Sequence, residues 1–66
     1  MDGIVIGKRL KELRGEKTLE NVGNDLNVTI TAVSLWERGE RIPNDDMKLK
    51  ISNYFGVPLF DIFYAE

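Results

Sequence analysis

Neither cysteine nor histidine occurs in this 66-residue chain, and their absence limits what can hold it together. A domain this short sits near the lower limit for a core that folds unaided, so it needs staples, a partner or closely packed helices. Disulfides and zinc fingers are removed together. The remaining residues form no clear metal cluster. The apolar pattern has to carry the fold, and it recurs at helical spacing along one domain, residues 1–66, without repeats or linkers.

Five short helices are expected. The first runs from about Ile4 to Glu16: Ile6, Leu10 and Leu13 make one buried stripe, and Lys8, Arg9, Lys11 and Glu12 fill the wet side. The second is capped by Thr18 and runs to Leu26, with Leu19, Val22 and Leu26 inward, and Asn27 fits a left-handed C-cap. Gly23 lies within it, where a missing side chain lets another helix approach. After the three-residue turn Asn27-Val28-Thr29, the third helix is capped by Thr29 and ended by Gly39, with Val28 and Val33 placed as a hydrophobic staple. Val33 and Trp36 point inward, and Thr31, Ser34, Leu35 and Arg38 cluster on the opposite side. Asn44 caps a fourth helix whose first turn carries Asp45 and Asp46, at the end of the dipole that favours negative charge. Met47, Ile51, Tyr54 and Phe55 form its inner face, and Gly56 stops it. Val57 to Phe63 supplies a short, very apolar last segment.

Helices 18–26 and 29–38, joined by that turn, describe a helix-turn-helix over about residues 18–38. The run from Leu26-Asn27-Val28-Thr29 through Trp36-Glu37-Arg38-Gly39-Glu40-Arg41-Ile42-Pro43 resembles the Cro/repressor-type (XRE-like) helix-turn-helix family. Leu10-Lys11-Glu12-Leu13-Arg14 resembles that family's first helix. Lys50-Ile51, Tyr54-Phe55-Gly56-Val57 and Leu59 resemble its fourth and fifth.

The resemblance implies an all-α, lambda-repressor-like DNA-binding domain and a bacterial or phage transcriptional regulator, in most relatives a dimer. It places the third helix in the major groove of double-stranded DNA, with Ile30, Thr31, Ser34 and Leu35 toward bases or sugar and Arg38 on the same face. Thr29 and Arg41 would contact phosphate, and the start of the second helix, Thr18 and Leu19, would meet the backbone. Arg14 and Glu37 match a pair that forms an internal salt bridge in relatives. The chain departs from the family pattern at Leu19, where Gln is common, and at Ile30 and Leu35, where relatives often carry amide or basic groups. Leu19 also continues the Val22/Leu26 stripe, which favours a place in the core.

The formal charge is −2, but its distribution is uneven. Residues 1–41 hold seven basic and seven acidic side chains, and residues 42–66 hold two and four. A local basic face is thus open to the N-terminal two-thirds, though electrostatic attraction to DNA is modest. Val57, Leu59, Phe60, Ile62, Phe63 and Tyr64 crowd six large apolar residues into eight positions, more than one short helix can bury. That surplus is expected to form a homodimer surface through Leu59, Phe60, Phe63 and Tyr64.

The expected function is therefore operator binding by a small homodimeric repressor at an inverted repeat. The rival reading is a protein-interaction module, such as an antitoxin or accessory factor, favoured by the acidic balance and the apolar Ile30 and Leu35. An enzyme is not expected: there is no His or Cys, no phosphate-cradling glycine loop and no room for a deep pocket. No cofactor, metal or small-molecule ligand is indicated. No apolar run approaches membrane-spanning length, the N-terminus lacks a signal-peptide pattern, and the absence of disulfides suits the cytoplasm.

Overall fold

The computed structural model describes residues 2–66 and contains five helices among them: α1 (Gly3–Arg14), α2 (Leu19–Leu26), α3 (Ile30–Glu37), α4 (Asp45–Phe55) and α5 (Leu59–Phe63). The described residues form helices only, and α2 and α3 are joined by a short turn in a helix-turn-helix arrangement. No helix of the described residues is long and apolar enough to cross a membrane.

Side-chain caps set the helix starts. Asp2 accepts from the amides of Ile4 and Val5, Thr18 from Asn21, Thr29 from Ala32 and Asn44 from Met47. Each satisfies a backbone donor that has no partner within its own helix. At the far end of α1, the Gly15 N–H returns to the Lys11 carbonyl and the chain turns to φ 57°, so the helix stops at Arg14, two residues before the expected Glu16.

One core joins every helix. Ile6 and Leu10 of α1, Val22 and Leu26 of α2, Val33 and Trp36 of α3, Ile51 of α4, and Ile62 and Phe63 of α5 are all buried. Leu13, Leu19, Met47, Tyr54, Phe55, Val57 and Leu59 pack around them, half-buried. Tyr54 Oη also donates to Asp25, tying α4 to α2, and that bond raises the phenol's pKa above its ordinary value.

Two cations are drawn inward, one of them, Arg9, from the side of α1 that sequence periodicity places in water. Arg9 is half-buried and donates to the carbonyl oxygens of Ile62 (3.0 Å) and Ala65 (2.5 Å), binding the end of the chain to α1. Lys48 is buried, with its ammonium 5.2 Å from the Tyr64 ring centroid and 5.7 Å from that of Phe63. It donates to Tyr64 Oη at 3.2 Å and lies 3.6 Å from Asp45 Oδ1. Stem burial with a paired, ring-facing ammonium is how a lysine enters an interior at tolerable cost.

The closest approach in the core brings α1 against the end of α3. A Cβ added to Gly7 would lie 2.7 Å from the Trp36 carbonyl oxygen and closer still to that of Glu37. Both obstacles are backbone, so α1 would have to move away from α3. Gly7→Ala is therefore expected to cost about 1–3 kcal/mol as an overpacking change. In a domain this small each kcal/mol lowers the melting temperature by about 4–8 °C. A calorimetric melt within a degree of the unmodified protein would show that the helices are not so closely apposed.

Candidate nucleic-acid interface

The α2–α3 unit is built from short-range chemistry. Asn27 adopts the left-handed conformation at φ 60°, and the Val28 N–H donates to the Gly23 carbonyl at 2.8 Å. Gly23 is needed for this turn: a Cβ there would fall 2.9 Å from the Val28 carbonyl oxygen. The chain leaves α2, turns within three residues and begins α3 directly against it. Thr18 adds a capping box, accepting from Asn21 N while Asn21 Oδ1 accepts from Thr18 N.

What holds α3 is concentrated on one side. Val33 and Trp36 are buried in the shared core. Glu37, at the last turn, meets Arg14 at the end of α1: Arg14 Nε donates to Glu37 Oε2 at 2.7 Å and Nη2 to Oε1 at 3.0 Å. This two-bond geometry fixes orientation as well as distance. The pair is largely shielded, with side-chain exposures of 17% for Arg14 and 9% for Glu37. The hydrogen bond to Glu37 raises the Arg14 pKa above its ordinary value, against the opposing effect of burial. Arg14 Nη1 also donates to the Lys17 carbonyl, tying the loop before α2 into the same junction.

With that side anchored, α3 turns the other outward. Ile30, Thr31 and Arg38 are exposed, and Ser34 and Leu35 are half-buried. Thr18, Thr29 and Arg41 are exposed as well. The Thr18 and Thr29 oxygens are engaged as caps, but each hydroxyl proton stays free to be donated. Arg38 meets Glu40 at 3.1 Å, with both side chains more than half exposed. An exposed pair of this kind is worth little and exchanges partners readily. Glu40 lies beyond the helix, so helical periodicity does not reveal it as a neighbour of Arg38. Lys17, immediately before the Thr18 cap, is a further exposed cation, with its ammonium 5.4 Å from the Tyr54 ring centroid.

Two groups of expected site residues are placed differently. Leu19 is half-buried against the core, which leaves only part of it for contact with DNA. Phe63 cannot serve as dimer surface: it is only 2% exposed and completes the core beside Ile62. Leu59 is half-buried on the same core. Phe60 at 62% and Tyr64 at 44% exposure remain outward, one turn apart on the last helix and its cap. Tyr64 shares a cleft of about 450 Å³ with the exposed Val5 at the start of α1.

A family model described as helix-turn-helix matches residues 10–62, which takes in every helix at least in part. No curated protein and no solved structure matches the chain.

The Arg14–Glu37 junction should be sensitive to loss of one charge. Glu37→Gln leaves the guanidinium without its counter-charge in a shielded site, a change that costs about 3 kcal/mol where pairs are well buried. Thermal unfolding should drop accordingly, and Arg14→Met combined with Glu37→Leu should recover much of the loss. A Glu37→Gln melt within a degree or two of the unmodified protein would mean that solvent screens the pair.

Proposed function

The chain belongs to the Cro/repressor-type helix-turn-helix family of DNA-binding regulators, and on that footing we propose that it acts in the cytoplasm as a homodimeric repressor occupying an inverted-repeat operator. The observation that carries this reading is the outward side of α3. Its inner side is locked by Val33, Trp36 and the Glu37–Arg14 pair, and Ile30, Thr31, Ser34, Leu35 and Arg38 are left on the other. Such a helix can enter a major groove about 12 Å wide without disturbing the core. Thr18, Thr29 and Arg41 flank it as phosphate contacts. Arg41 is the cation among them, and it is exposed.

The dimer follows from electrostatics. At a net charge of −2 with few phosphate contacts, one copy gains little from counterion release. A second copy on the same duplex makes the next contact effectively intramolecular. Two-fold helix-turn-helix dimers place half-sites about 34–36 Å apart. Phe60 and Tyr64 supply the exposed aromatic area for pairing, with Val5 at the rim of the cleft beside Tyr64.

Phe60→Ser is the cleanest test of pairing, because Tyr64 must stay to accept from Lys48. The variant should remain folded, sediment as a monomer and lose about a hundredfold or more of its operator affinity. If the unmodified protein sediments as a monomer at micromolar concentration, free and on its operator, the dimer is refuted. Failure to retain any mixed duplex at low salt would favour a protein partner for this face instead.

A further inference from the structure

Apart from Arg38 at its C-terminal end, the outward side of α3 lacks the groups that read bases by paired hydrogen bonds. Asn or Gln reads adenine in this way and Arg or Lys reads guanine. None of Ile30, Thr31, Ser34 and Leu35 is of either kind, and the remaining residue, Arg38, faces Glu40 at 3.1 Å. What the helix offers at its leading end is hydrocarbon. Ile30 is its first residue and is 47% exposed.

Nothing in the fold accounts for isoleucine there. The side chain is not among those packed on the core. A β-branched residue is also a poorer helix former than alanine. Yet the position is held firmly. The Thr29 cap precedes it, the Val28 N–H is bonded to Gly23, and the Ile30 backbone nitrogen would lie 3.6 Å from a Cβ on Gly23. A rigidly placed, solvent-facing branched alkyl group is matched in the major groove by one base-edge feature, the C5-methyl of a pyrimidine. Thymine displays it. Cytosine shows a bare C5–H at that place and gains the methyl as 5-methylcytosine.

Building on the DNA-binding reading above, we propose that Ile30 is a specificity-determining residue that reads a 5-methylpyrimidine at one position of each half-site. Selection of bound sequences from a randomised duplex pool with the full chain gives the duplex for the test. Each thymine is then replaced singly by deoxyuridine, which removes the methyl and leaves every hydrogen-bonding edge unchanged. At the position facing Ile30, binding should weaken by about fourfold, the worth of one buried methyl. Cytosine placed there should bind more tightly once methylated at C5, by a similar factor. Preference for thymine over deoxyuridine alone assigns the readout to thymine, and both preferences together assign it to the methyl group as such; either supports the proposal.

Ile30→Ala should erase the discrimination with its melting temperature retained, and Ile30→Val should keep it. Binding indifferent to deoxyuridine at every position, or discrimination that persists in Ile30→Ala, overturns the role of Ile30 while leaving DNA binding intact. A chain that retains no duplex at low salt contradicts the DNA-binding reading itself, and this inference falls with it.

Discussion

The junction of α1 with the end of α3 governs how the molecule presents itself. Gly7 allows the helix backbones to approach, and the Arg14–Glu37 pair then fixes the orientation of α3 through two short hydrogen bonds. The same arginine reaches the Lys17 carbonyl, so one side chain links α1, the start of α2 and the end of α3. An ion pair of this sort contributes less to net stability than its Coulomb attraction suggests, because both charges are partly desolvated. Its contribution is positional: the outward side of α3 stays outward because its last turn cannot rotate without stranding a charge.

The second half of the chain supports this arrangement. α4 and α5 bring Ile51, Ile62 and Phe63 beneath the helix-turn-helix and enlarge a core that three short helices could not complete. Arg9 and Lys48 hold the C-terminal segment from two sides, one on backbone carbonyls and the other on Tyr64. Once α5 is held in this way, the aromatic rings it cannot bury are Phe60 and Tyr64. The segment that completes the core therefore also leaves these two aromatic rings in solvent.

Much of this was legible in the sequence because it rests on local rules. Thr18, Thr29 and Asn44 mark helix starts through their own hydroxyl or amide oxygens, and Asn27 marks a left-handed end. The Val33/Trp36 spacing identifies the inner side of α3. The rest depends on partners distant along the chain. Arg9 reads as a surface residue until carbonyls 53 and 56 positions later are brought against it. In α5 nearly every side chain is apolar, so helical spacing cannot say which side is inner; only the docked helix separates Phe63 from Phe60. Pairing between Arg38 and Glu40 was hidden because it bridges the end of a helix and the loop beyond.

Whether duplex DNA meets the outward side of α3 can be observed residue by residue in solution. Backbone amide resonances of the labelled protein, followed during titration with short duplex DNA at low salt, report which surface is contacted. The largest shifts should fall on Thr29 to Arg38, on Arg41 and on the start of α2 around Thr18. Shifts confined to α1 and α5, or a spectrum unchanged at saturating duplex, would contradict the account.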